Sequence, residues 1–151
     1  RSLGRWRANC HVSAYDYELI GDSVSGKIGH LSHHEYTEFG NTVQMLATSP
    51  PVHSDRKRVF IPRFEMDIES GVGITTGQGS DPQVMLRISR DGGRTWGNQQ
   101  KWRSMGAIGA HHTRMRWLKL GQSREWVFEI TISDPVRRNV INAHADLMVG
   151  T

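Results

Sequence analysis

Leu86-Arg87-Ile88-Ser89-Arg90-Asp91-Gly92-Gly93-Arg94-Thr95-Trp96 is the stretch whose reading decides the fold. Taken with the residues before it, the run alternates: Val84, Leu86 and Ile88 point one way, Met85, Arg87 and Ser89 the other. A period of two marks a strand with one buried face. Asp91-Gly92-Gly93 then breaks the strand. Two adjacent glycines reach the positive φ that a tight hairpin needs, and Asp tolerates the same region. Ser89 and Asp91 carry short oxygen-bearing side chains that can bond back onto the amides of the turn itself. Thr95 and Trp96 are expected to open a return strand, with the Trp96 ring covering the hairpin from one side.

Ser89, Asp91, Gly93, Thr95 and Trp96 match Ser-x-Asp-x-Gly-x-Thr-Trp at every fixed position. That pattern resembles the Asp-box, a β-hairpin turn of sialidase-like β-propellers and other β-rich proteins. In those families the box sits on the outer turn of a blade and is structural. The resemblance therefore implies a scaffolding role for these five residues and no catalytic one.

Outward from this corner the chain keeps the same grammar. The cleanest alternation puts Phe64, Met66 and Ile68 on one face and Arg63, Glu65, Asp67 and Glu69 on the other, a strand with a wet side. Pro62 belongs at its start or at a bulge, because proline cannot donate to a ladder. Asn9 to Ile20 alternates loosely, with Cys10, Val12 and Ala14 together. Gly21 to Gly26 is turn chemistry, and Lys27 to Ser32 reads as the return strand of a hairpin. His33 to Gly40 is a loop or single turn. Asn41 to Ala47 is a short strand ended by Pro50-Pro51. Ser70 to Pro82, with Gly71, Gly73, Gly77 and Gly79, is the most flexible-looking loop. Thr113, Met115 and Trp117 mark another strand, Gly121 to Arg124 a turn. Phe128, Ile130 and Ile132 share a face, as do Ile141, Ala143, Ala145 and Leu147. Roughly nine short strands without a long helix predict an all-β, antiparallel chain, propeller-like or sandwich-like, built on hairpin turns. The absence of a clean internal repeat weighs against a propeller.

The length of 151 residues allows a single β-rich domain over 1–151, with 1–8 expected to fray. No apolar run approaches the roughly 20 residues of a spanning helix, so no membrane partner is expected. The first residue is Arg1 and no signal peptide is visible, so the chain reads as a processed piece or the tail of a longer protein. The one cysteine, Cys10, excludes an internal disulfide and reads as a half-buried strand residue. Charge is uneven: residues 1–75 hold 8 Lys/Arg against 9 Asp/Glu, and residues 76–151 hold 11 against 6. A basic half can meet DNA, but equally a solvated strand face or an acidic subunit. The arginines fall at strand spacing and no nucleic-acid-binding motif accompanies them, which favours the latter two.

Little here carries chemistry. Among eight histidines, His33-His34 and His111-His112 are neighbours, and strand neighbours point to opposite faces, so neither pair is a chelate. No Gly-x-Ser-x-Gly elbow appears, and Gly71-Val72-Gly73 lacks the third glycine of a dinucleotide loop. Glu65, Asp67 and Glu69 share one strand face, whereas glycoside hydrolysis needs two facing carboxylates. Trp96, Trp102, Trp117 and Trp126 could form a sugar platform; packing between short strands explains them better. No catalytic, cofactor-binding or metal residue is assigned, and the chain is not expected to be an enzyme.

Several further motifs occur in a distinctive order. Gly21-Asp22, Gly26-Lys27, Tyr36 to Gly40, Ser49 to His53 and Glu69 to Gly73 precede Met85-Leu86-Arg87 and the glycine corner. Arg114 to Trp117, Leu120 to Arg124, Val127 to Glu129 and Ser133 to Val136 follow. Together these resemble the carboxy-terminal part of the packaged-DNA stabilisation proteins of short-tailed bacteriophages, also called tail accessory, hub or nozzle proteins. The resemblance implies a virion tail protein, present in the host cytoplasm during assembly. It implies a ring of copies, expected to be a hexamer, below the portal and its adaptor. Such a ring helps retain packaged DNA and holds tail fibres, spikes or a needle. It also implies a propeller-like fold and brings no catalytic residues. The rival expectation, from the Asp-box and the tryptophans, is a sialidase-like glycan-binding or glycan-cleaving domain.

Overall fold

The computed structural model describes residues 5–98 and 101–150, and every described regular element is a β-strand. The chain divides into two compact units, Arg1–Val43 and Gln44–Thr151, where the sequence reading takes one domain.

In the first unit, β1 (Ala8–Ala14), β2 (Tyr17–Asp22) and β3 (Ile28–His30) form an antiparallel meander in that order. Tyr15 and Asp16 sit at φ 55° and 62°, a two-residue hairpin with both central residues left-handed. This turn splits the Asn9–Ile20 run that alternation alone leaves whole, because Tyr-Asp stands where Asn-Gly would announce it. The second hairpin, β2 to β3, falls where expected. Asp22 anchors it: its carboxylate accepts from the Arg7 guanidinium, the Ser25 hydroxyl and the Val24 N–H. Residues 1–4 lie outside the described residues. Fraying over 1–8 does not extend to Arg7 and Ala8, which are tied by this ion pair and by β1. Cys10 lies on β1 but is exposed rather than half-buried. Two-residue strands β4 (Thr37–Glu38) and β5 (Asn41–Thr42) close the unit, turning through Phe39 and Gly40.

The second unit holds two sheets. One has the order β10-β7-β12, from β7 (Val59–Ile68), β10 (Met115–Ser123) and β12 (Val140–Val149). The other has the order β6-β11-β8-β9, from β6 (Met45–Thr48), β8 (Gln83–Ser89), β9 (Lys101–Ser104) and β11 (Val127–Ile132). All strand pairings within each sheet are antiparallel. Side chains from the two sheets meet in one core that includes Ile61, Phe64 and Met66 of β7, Val84 and Leu86 of β8, Trp117 of β10 and Phe128 of β11. Across it, Phe64 stacks on Phe128 with centroids 4.7 Å apart, and Trp126 lies parallel to Phe128 at 6.1 Å. Both buried indoles keep a partner: Trp126 Nε1 donates to the Val59 carbonyl at 3.0 Å, Trp117 Nε1 to the Lys101 carbonyl at 2.7 Å. Of the two architectures the sequence allows, this is the sandwich, with open sheets rather than closed blades.

The alternation of β7 holds, and the strand is longer than its clean part. Pro62 falls inside the central strand, where the ladder breaks on both sides: β10 slips between Leu118 and Gly121, β12 between Asp146 and Met148. The bulge alternative for Pro62 is therefore the correct one. Three boundaries differ from expectation. Residues 41–47 split into β5 and β6. β10 runs through Gly121 to Ser123, because a bulge at Lys119 (φ 56°) absorbs the glycine. The return strand after the glycine corner begins at Lys101, not Thr95.

Candidate structural turn and docking faces

β8 ends at Ser89, and the chain after it is held by its own side chains. The Ser89 hydroxyl donates to Asp91 Oδ1 at 2.7 Å and accepts from the Gly93 N–H at 2.8 Å. Asp91 accepts from the Thr95 N–H at 2.8 Å and from the Thr95 hydroxyl at 2.6 Å. These bonds, to Thr95 first and then Ser89, pull the Asp91 carboxyl down to about 2. The carboxylate is ionised at neutral pH. Gly92 and Gly93 have φ of 72° and 96°, and a Cβ on Gly92 would lie 2.6 Å from Glu125 Oε2. Trp96 stands beside the corner with the Arg87 guanidinium 4.6 Å over its ring. Ser89, Asp91, Gly93 and Thr95 thus meet in one hydrogen-bonded knot, and Trp96 sits at its edge outside any strand.

The corner is also tied to the turn that carries the chain from β10 to β11, and so from one sheet to the other. Arg90 donates to the Leu120 carbonyl at 2.8 Å and lies 5.6 Å over the Trp126 ring. The Ser123 hydroxyl donates to the Arg90 carbonyl at 2.6 Å, and Asp91 bridges to Glu125. Sequence reasoning missed Arg90, Ser123 and Glu125. They lie some thirty residues apart, and no local pattern links them.

A cavity of about 650 Å³ opens beside Trp96, between Leu86, Ile88, Arg90 and Lys101. Burial, then the neighbouring Arg90 and Arg103, lower the Lys101 pKa. Ser89, Asp91 and Gly93 do not line this cavity.

The remaining sequence candidates disperse. Glu65 faces Arg116 at 3.5 Å, Asp67 faces His144 at 3.5 Å, and Glu69 faces Arg137 at 3.2 Å. Each carboxylate of that row has a cationic or imidazole neighbour. Trp117 and Trp126 are fully buried, while Trp102 is exposed and Trp96 half-buried. Among the described residues, no three His, Cys, Asp or Glu side chains converge where a metal could sit.

β12 is unlike the other long strands. Its Ala145 packs on the core, yet Ile141 is 75% exposed, Leu147 49% and Met148 62%. Of the face read from the sequence, Ala143 and Ala145 stand opposite Met66 and Phe64, but the ladder shifts between Val140 and Asn142, so Ile141 leaves that face.

An open antiparallel sandwich, with an internally bonded corner and an apolar strand left at its edge, defines a structural module that works through its faces. Residues 44–148 match the family described as bacteriophage P22 Gp10, beta-sandwich, which is nearly the whole second unit and well over half the chain. The chain belongs to that family, and is a bacteriophage tail structural component that meets other virion proteins. No curated protein matches the chain.

Proposed function

We propose that this chain helps close or extend the portal channel of a short-tailed phage, retains packaged DNA, and docks other tail proteins. Copies stand in a ring, with six the expected number, next to the portal adaptor and to fibre, spike or needle proteins. The observation that carries this reading is the family match over 44–148. The motif order from Gly21 to Val136 agrees with it. The role of Ser89, Asp91, Gly93, Thr95 and Trp96 in it is mechanical: they hold the corner to which the sheet-crossing turn is tied. In the same picture the chain as a whole is the carboxy-terminal part of a longer propeller-like protein, and the first unit has an exposed face to offer. Val12, Tyr17 and Ile28 are exposed there on one sheet face, which suits packing against another sheet.

The test is made on particles. Phage lacking this chain are expected to lose packaged DNA to nuclease, and complementation restores retention; particles that keep their DNA without it overturn the reading. The glycan alternative has one observation in its favour, the cavity bordered by Trp96, Arg90 and Lys101. Hydrolysis of a sialoside panel, or sugar-specific retention on an array, would favour it over the tail reading. Direct DNA contact through the basic half would instead show binding that falls steeply with salt.

A further inference from the structure

Charge is sorted along this chain. Residues 8–26 hold three Asp/Glu and no Lys/Arg, whereas residues 92–124 hold seven Lys/Arg and no Asp/Glu. The fold brings the charges of each stretch to one place.

The acid-free stretch supplies β9 and β10, which edge the two sheets of the sandwich and meet where Arg103 Nε donates to the Arg116 carbonyl at 2.7 Å. Arg90 and Lys101 line the cavity beside Trp96, and Arg103 stands close enough to act on Lys101. The two guanidiniums are fixed: backbone carbonyls hold them, and they lie over the Trp126 and Trp117 rings. Among the described residues none of these three cations is paired with a carboxylate. At about 650 Å³ the cavity is the size of a small-molecule site, and Leu86 and Ile88 give it an apolar wall. It fits an anion carried beside an aromatic or apolar group.

The cation-free stretch forms β1, β2 and their turns. Two of its three carboxylates are taken: Glu18 pairs with His11 and accepts from Ser13, and Asp22 is held by Arg7. Asp16 has no partner among the described residues. It stands at the hairpin tip beside Tyr15, which at 89% exposure is the barest large apolar side chain described. Both tip residues are left-handed, a conformation that costs a tyrosine more than the usual Asn or Gly. The tip therefore offers one aromatic ring and one free carboxylate to solvent.

We propose that the Tyr15-Asp16 tip of one copy docks in the cavity beside Trp96 of a second copy. Asp16 meets Lys101 between Arg90 and Arg103, and the Tyr15 ring meets Trp96. This deepens the reading of the chain as a tail component that works through its faces, and rests on it. The contact is head-to-tail, so each copy keeps a tip and a socket to use, the kind of interface that closes into a ring. DNA is the poorer occupant. A duplex is a stiff, convex rod whose phosphates would reach only the rim and leave the apolar wall unused.

Carbodiimide coupling reads the contact, because it joins a carboxylate to an amine only where the two touch, with loss of water. An equal mixture of isotope-labelled and unlabelled 151-residue chain is coupled at about 100 μM. Mass spectrometry should find an Asp16–Lys101 amide that joins a labelled chain to an unlabelled one. Asp16→Asn, which suits the turn, should lower the covalent dimer at least about ten-fold, and added salt should lower it too. Charge exchange gives a second reading by sedimentation. Asp16→Lys alone and Lys101→Asp alone should each be monomeric, while their equal mixture associates as the parent does. Both sites are exposed, so circular dichroism of the variants should match the parent. No amide between chains, an amide confined to one chain, or folded variants whose mixture stays monomeric would each overturn the proposal. So would a sialoside or a DNA duplex retained by the parent and lost in Lys101→Asp. Particle incorporation is scored separately. A chain that fails these tests and still enters particles overturns the socket and leaves the tail reading standing.

Discussion

The second unit and the first are made from the same kind of antiparallel hairpin, yet they are stabilised differently. Of the seventeen buried apolar side chains among the described residues, sixteen lie in the second unit and only Ile20 in the first. The second unit buries Trp117, Trp126, Phe64 and Phe128 between two sheets. The first has one three-stranded sheet with little across from it, and holds its turns with charge. Arg7 and Ser25 converge on Asp22, and His11 and Ser13 on Glu18. A sheet needs an apolar layer opposite it before its alternation becomes stability. Polar clusters define local geometry but add little net free energy where solvent reaches them. If this contrast is right, damage to the first unit stays local and damage to the second is global.

The largest effect is expected at Trp126. Trp126→Ala removes a fully buried ring that stacks on Phe128 and donates to the Val59 carbonyl. Truncation of such a ring costs about 3–5 kcal/mol. A denaturant melt should show the unfolding free energy falling by that amount, and a drop under about 1 kcal/mol would break the comparison.

Next in size is Asp91→Ala. It leaves the Thr95 N–H and hydroxyl and the Ser89 hydroxyl without their shared acceptor, in the corner tied to the sheet-crossing turn. A drop of several degrees in melting temperature is expected, without loss of strand content. The same carboxylate should appear in the pH profile. Its folded pKa of about 2 lies below the ordinary 3.8, so its stabilisation is complete above about pH 4 and is lost as pH falls toward 2. Asp22, also held low by Arg7 and Ser25, acts in the same direction on the first unit. Acid titration of Asp91→Asn should lack the sandwich share of that slope. An unchanged acid limb would show that the corner does not couple to the sandwich.

What could be read in the sequence, and what could not, divides along the range of the interactions. The glycine corner was legible because its bonds span no more than four residues, from Ser89 to Gly93 and from Asp91 to Thr95. The faces of β7 and β8 were legible because period two is local. The Tyr15-Asp16 turn was not, since Tyr15 is no usual carrier of positive φ and Asp16 alone does not announce a two-residue turn. The ties from Arg90 to Leu120 and Trp126 were not, since only the folded sheets bring them together. The exposure of β12 was hidden for a third reason. Alternation assumes an unbroken ladder, and the shifts between Val140 and Asn142 and between Asp146 and Met148 break it at both ends of the strand.

The smallest effect is expected where the polar cluster stands almost alone. Asp22→Ala removes the acceptor shared by Arg7, Ser25 and the Val24 N–H, and frees the Arg7 guanidinium that lies 4.7 Å over the Phe39 ring. These bonds set the path from β2 to β3 and tie the residue before β1. They touch none of the side chains in the sandwich core. Amide exchange should therefore speed up at Val24, Lys27 and Leu31 while the amides of β7, β8 and β11 keep their protection. The main thermal transition should move by less than about 1 °C. A shift as large as that of Asp91→Ala would mean that the two units melt together, and that the polar hairpins of the first contribute to the stability of the second.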